Sequence, residues 1–174
     1  GSMVESFSVA EGFNNSVAAV AKHAGKYYVA GKFTSYRGQT RNRVAAILWD
    51  GQLDTSFNPR GGPNGPVTAI VVEPNYKVII GGMFTSVGMG GGRPPTERQR
   101  LARLNRDGTL DTTFDPGPLV KGAELHAIAL QPDGKILVGG NFSSFIPTSP
   151  PQRRFIIRLL PDGRVDTTFN GEFG

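Results

Sequence analysis

Cysteine is absent from this 174-residue chain, which excludes disulfide frameworks, thiol nucleophiles and thiolate metal sites. Only two histidines are present, His23 and His126. Neither recurs from one part of the chain to the next or stands near a nucleophile motif, so no triad or zinc site is expected, and no cofactor is implied. Charged residues make up 19% of the chain, below the ordinary quarter or so, and no segment has helical periodicity. No apolar run approaches the ~20 residues that span a bilayer, so no membrane span is expected. The opening Gly1-Ser2-Met3 reads as an expression scar, and no charged-then-apolar leader follows it. What the chain does have is 24 glycines, 13 prolines and 38% hydrophobic residues. That composition suits a folded chain rich in turns.

The organising signal is a repeat. Asp50-Gly51-Gln52-Leu53-Asp54-Thr55-Ser56-Phe57 returns as Asp107-Gly108-Thr109-Leu110-Asp111-Thr112-Thr113-Phe114 and as Asp162-Gly163-Arg164-Val165-Asp166-Thr167-Thr168-Phe169. A degenerate copy, Val4-Glu5-Ser6-Phe7, stands in phase ahead of them. A second block recurs as Val17–Val20, Val67–Ile70 and Leu125–Ile128. A tight-turn sequence follows each, then Tyr27–Gly31, Val78–Gly82 or Ile136–Gly140. These are paired strands joined by hairpins. A third strand follows in each copy, Val44 to Leu48, Leu101 to Asn105 or Ile156 to Leu160, and the Asp-Gly turn leads to a fourth ending at the phenylalanine. The second strand is apolar on both faces, so both must be covered. A radial stack of four-stranded blades achieves this.

The expected fold is therefore all-β and β-propeller-like. It comprises three four-stranded blades, a partial or half propeller, with an extra N-terminal strand. Residues 4–174 form one segment with repeats at about 17–66, 67–124 and 125–174, residues 4–16 being the tail of a preceding repeat. Gln131–Phe142, reading QPDGKILVGGNF, and Arg100–Phe114, reading RLARLNRDGTLDTTF, resemble the delta-60 repeat. The likeness covers essentially residues 4 to 170. It implies a bacterial propeller-type repeat, often in surface or secreted proteins, hence an extracellular or cell-surface setting. It carries no catalytic residues over to this chain.

Three blades fall short of the four to eight with which propellers usually close. Either the chain is excised from a longer array or two copies pair into a six-bladed ring. In such a ring Val4–Phe7 and Val165–Phe169 supply one strand too many at each junction, so one is displaced. Exposed edges favour self-association, as a dimer or within a larger propeller.

The loops between the second and third strands, Thr34 to Arg43, Thr85 to Arg100 and Ser143 to Arg154, hold eight of the 13 arginines and one acid, Glu97. Equivalent loops emerge on one face, where Arg60 and Lys121 add to them. The candidate anion-binding residues on this basic rim are Arg37, Arg41, Arg93, Arg98, Arg153 and Arg154, since a planar guanidinium suits paired oxygens. A solvated charged face is the alternative. Arg43 and Arg100 are expected to be structural, pairing with the repeated Asp54 and Asp111, with Asp166 as the third of the set. Asp-Gly-x-Leu-Asp lacks the clustered ligands of a calcium loop. The glycine run Gly88-Met89-Gly90-Gly91-Gly92 precedes Pro94-Pro95 rather than a helix, so it is a loop and not a phosphate cradle. A non-catalytic binding or scaffolding module follows, with an anionic polymer or a protein as partner. The alternative is a glycan-binding or glycan-processing propeller enzyme fragment, in which processing requires paired carboxylates.

Overall fold

The computed structural model describes residues 12–117, 124–143 and 154–169. The expected tail strand Val4–Phe7, Lys121 and Arg153 lie outside these residues. In chain order the strands are β1 (Val17–His23), β2 (Lys26–Gly31), β3 (Ser35–Tyr36), β4 (Gln39–Thr40), β5 (Val44–Leu48), β6 (Gly62–Pro63) and β7 (Val67–Val72). They continue as β8 (Val78–Gly82), β9 (Ser86–Gly88), β10 (Thr96–Glu97), β11 (Leu101–Leu104), β12 (Glu124–Leu130), β13 (Ile136–Ser143) and β14 (Arg154–Leu159). No helix occurs among the described residues, and the chain is all-β.

Three antiparallel sheets, β1-β2-β5, β7-β8-β11 and β12-β13-β14, are the three blades, one per repeat. Each opens on a hairpin. Its turn holds a residue in the left-handed region: Ala24 and Gly25 in blade one, Tyr76 in blade two, Gly134 in blade three. Each first strand shifts register at the same place, between Val17/Ala19, Val67/Ala69 and Leu125/Ala127. The glycine closing the second strand faces that bulge. A Cβ on Gly82 would stand 2.8 Å from the Val67 Cα, so a side chain there would force the strands apart.

The expected fourth strand is present in each blade as a single bridge, Ile47↔Leu53, Leu104↔Leu110 and Leu159↔Val165. The aspartate that follows ends the pairing. Its N–H still donates back to the third strand, Asp54 to Ala46 O and Asp111 to Arg103 O at 2.8 Å, while its carboxylate caps the turn beyond. The segments between second and third strands are more regular than the sequence implies: β3 pairs with β4, and β9 pairs with both β10 and β6.

The blades stack on their apolar faces. Tyr28, Ala30, Val44 and Ala46 of blade one pack against Val78, Ile80, Ala102 and Leu104 of blade two, with Phe57 and Phe84 alongside. Ile79, Leu101 and Phe114 of blade two pack against Ile136, Val138, Ile157 and Leu159 of blade three. The central strand β8 is thus sandwiched between the sheets of blades one and three, which is why it is apolar at successive positions.

Candidate functional site

The repeated aspartates are the chemical core of each blade. Asp54 accepts from Lys26 Nζ at 2.5 Å, and Asp111 from Lys77 Nζ and Arg103 Nε, both at 2.8 Å. Asp166 accepts from Arg158 Nε at 2.8 Å and lies 3.2 Å from Lys135 Nζ. The other carboxylate oxygen of each caps the next turn, taking the N–H at 3.0 Å and the hydroxyl at 2.6 Å of Ser56, Thr113 or Thr168. Burial opposes ionisation of Asp54 and Asp111, but hydrogen bonds from Lys26 and Ser56, and from Lys77, Thr113 and Arg103, outweigh it. Both carboxyls sit below the usual aspartate range, Asp111 well below it. Asp166 is likewise held well below, chiefly by the Thr168 hydroxyl.

The partners therefore differ from the expected Arg43 and Arg100. Those two arginines serve through their backbone. Each adopts a left-handed conformation, φ 65° at Arg43 and 69° at Arg100, with φ 70° at the matching Phe155. Arg43 N–H donates to Phe33 O and Arg100 N–H to Phe84 O, both at 2.9 Å. Their carbonyls accept from Gly31 at 3.0 Å and from Gly82 at 2.9 Å. The Arg43 side chain turns to the Pro63 carbonyl, 2.9 Å away, rather than to Asp54.

The candidate anion-binding arginines do not share one surface. Arg41 and Arg98 are buried, each 7% exposed, and occupy matching places in their loops. Nη1 of each donates to the carbonyl just before it, Thr40 O at 2.7 Å and Glu97 O at 2.8 Å. Arg98 also reaches Thr112 O at 3.3 Å and lies 3.5 Å from Asp115. Burial lowers the pKa of Arg41 and the Asp54 carboxylate opposes the shift. Arg37 is exposed, 5.4 Å from the centre of the Tyr36 ring. Arg154 belongs to β14, its side chain lying outside the description, as does the whole of Arg153.

Arg93 remains, and it meets Arg60 at a recess of about 540 Å³ that also takes in Gly90, Thr109 and Thr112. Glycines build this recess. A Cβ on Gly88 would stand 2.8 Å from the Gly61 Cα, so the β6–β9 contact requires both residues bare. Gly90 meets the Arg60 stem, whose Cβ lies 2.7 Å from where a Gly90 side chain would begin. Arg60 N–H donates to Asn58 Oδ1 at 2.9 Å, and Arg93 N–H to Gly90 O at 3.2 Å. The nearby Asp107 is occupied by the Thr109 N–H and hydroxyl, at 2.9 and 2.6 Å. Arg60 was visible in the sequence only as an addition to the rim, because nothing in the residue pattern shows that the glycine run folds over it.

A separate recess of about 390 Å³ holds Glu97 and Asp115 beside Arg98. Glu97 accepts from Gln99 at 2.7 Å, and Asp115 faces Arg98. His23 stands edge-on to Tyr76, ring centres 4.8 Å apart, and His126 lies 3.8 Å from Glu124. Among the described residues no three histidines, aspartates or glutamates gather as metal ligands, and no helix is long and apolar enough to cross a membrane.

No curated protein and no solved structure matches the chain. A family model does match it in three stretches, each running from a hairpin turn to the phenylalanine that ends a blade. Matched over residues 25–57, 74–114 and 131–169, the chain belongs to the β-propeller family described as "Domain of unknown function (DUF5122) beta-propeller".

Proposed function

We propose that this chain is a non-catalytic binding module in which the stacked blades are the scaffold and the loop face takes acidic ligands at the Arg60–Arg93 recess. The observation that carries the reading is the placement of two exposed guanidiniums around one recess, on a backbone that bare glycines hold together. Guanidinium forks bind carboxylate, sulfate and phosphate oxygens in pairs, and Thr109 and Thr112 line the same recess. The non-catalytic part is supported by the carboxylates. Asp54, Asp111 and Asp166 are tied to cations as structural pairs, while Glu97 and Asp115 are engaged by Gln99 and Arg98.

Heparin binding followed by fluorescence anisotropy tests the reading. Binding is expected at low salt, weakening steeply as salt rises. The double reversal Arg60→Glu, Arg93→Glu should flatten the slope of log affinity against log salt by about 1–2, as expected when two cationic contacts are lost. Arg37→Glu, on the Tyr36 ring rather than in the recess, should leave most of the affinity in place. Absence of binding at low salt, or equal losses from Arg37→Glu and the recess pair, would overturn it.

A further inference from the structure

Blade two shows what each face of a blade rests on. On its face toward blade one, Val78, Ile80 and Leu104 are fully buried. Its other face reaches into blade three. Arg103 Nη1 donates to Pro161 O at 2.8 Å, and the Phe114 ring lies 3.0 Å from where a Cβ on Gly163 would stand. Thr68 Oγ1 donates to the Leu125 carbonyl across the same joint.

Among the described residues, the two ends of the stack present the same halves with no blade against them. On blade one the position of Val78 is taken by Tyr27, which is 37% exposed where Val78 is 0%. Trp49, at the place Pro161 holds in blade three, is 81% exposed. With Phe13, Tyr36 and Ile47 these side chains line an apolar recess of about 370 Å³. On blade three Ala129 is exposed at the place where Val71 of blade two packs into the second joint. Arg158 stands where Arg103 stands and is already aligned. Its Nε is 2.8 Å from Asp166, and its guanidinium lies 4.6 Å from the centre of the Phe169 ring, matching Arg103 with Asp111 and Phe114.

We propose that these ends mate: the free face of blade three in a second copy of this chain docks on the free face of blade one, Arg158 donating to the Trp49 carbonyl. The occupant is a second copy because the joint is already built twice within the chain and both of its halves are present at the ends. Gly51 corresponds to Gly163, so Phe169 of the second copy seats against Gly51 as Phe114 does against Gly163. Val4–Phe7, the rival fourth strand expected from the sequence, lies outside the described residues. The contact joins unlike faces and is therefore heterologous. Two copies related in this way carry six blades between them, within the four to eight that close a propeller.

Sedimentation velocity at about 10–100 μM detects the moderate affinity expected of such a joint. The full chain should sediment as a dimer. Trp49→Glu and Ala129→Glu, each at an exposed position, should each give a monomer with an unchanged far-UV spectrum. An equimolar mixture of the two variants should return to dimer, because one intact joint remains between the blade-three face of Trp49→Glu and the blade-one face of Ala129→Glu. If either variant loses its spectrum, Tyr27→Glu and Ala127→Glu probe the same faces. A monomeric wild-type chain, a dimer that survives either substitution, or a mixture that stays monomeric overturns the proposal.

Discussion

Arg103 and Asp111 lie eight residues apart across the Asp-Gly turn of blade two and meet in a buried pair, Nε to carboxylate at 2.8 Å. Arg158 and Asp166 repeat the arrangement in blade three at the same distance, and each arginine lies 4.6 Å from the centre of its own blade's phenylalanine ring. Blade one has Ala46 at that position, and Lys26 is the one cation paired with Asp54 among the described residues.

That difference predicts an order of stability losses. Asp111→Ala takes from nearly buried Arg103 its closest carboxylate, leaving Glu73 at 3.6 Å, and also unpairs Lys77, so it should destabilise the chain by about 3 kcal/mol, the lower end of the range for breaking a buried pair. Asp54→Ala breaks the one ion pair with Lys26, a third exposed and able to find water, and removes a longer-range attraction from Arg41, so its loss should be clearly smaller. Urea denaturation monitored by far-UV circular dichroism checks the order, and equal losses would remove Arg103 from the account.

The same carboxylates set the response to acid. Asp54, Asp111 and Asp166 ionise below the ordinary range in the folded chain, while unfolded aspartates titrate near about 3.9. The unfolded state therefore binds more protons across that gap. The stabilisation is complete above about pH 5 and is lost as the pH falls through about 4 toward the native values. Glu73 acts oppositely: burial raises its pKa against the attraction of Arg103, so its contribution declines as pH rises past the unfolded value. Asp107 and Asp162 are held below the ordinary range as well, so the depressed aspartates outweigh the raised Glu73 and net acid destabilisation is expected. Asp111→Asn should make the fall of the urea midpoint below about pH 4 shallower; an unchanged fall would exclude Asp111 from it.

Much of the blade was legible because hairpins and Asp-Gly turns announce themselves through local residue types. The identity of the aspartate's partner was not. Lys26, Lys77 and Lys135 recur just after each hairpin turn, yet only the folded sheet carries them to Asp54, Asp111 and Asp166. The loop arginines misled for a related reason. Composition counts Arg41 and Arg98 as rim charges, whereas their N–H groups pair with Thr34 and Thr85 carbonyls and draw the side chains inward. Burial of a long cationic side chain is decided by backbone path, which charge counting does not register.

Arg100 offers a direct check on the backbone role. If its conformation rather than its charge matters, Arg100→Gly relieves the left-handed strain at φ 69° and should be between neutral and about 1 kcal/mol stabilising, after allowing for the entropy of glycine in the unfolded chain. Arg100→Val should destabilise, because a β-branched residue resists that conformation. Thermal unfolding distinguishes these outcomes; a large loss in Arg100→Gly would restore a side-chain role.

Gly88→Ala tests whether the recess depends on the contact that builds it. The added methyl would stand 2.8 Å from the Gly61 Cα, backbone against backbone, so no side-chain rotation relieves the clash and β6 must part from β9. Overpacking of this kind costs about 1–3 kcal/mol. Because Gly90 and Arg60 sit on the two sides of the same contact, parting the strands also separates Arg60 from Arg93. Heparin affinity should therefore fall in Gly88→Ala although no charge has changed. Gly91→Ala is the control: its Cβ would meet nothing within 4 Å, but its φ of 62° strains the loop. It should lose some stability while keeping most of the affinity. Affinity retained in Gly88→Ala, measured where both variants are folded, would show that the arginines attract anions as independent surface charges and that the recess contributes nothing.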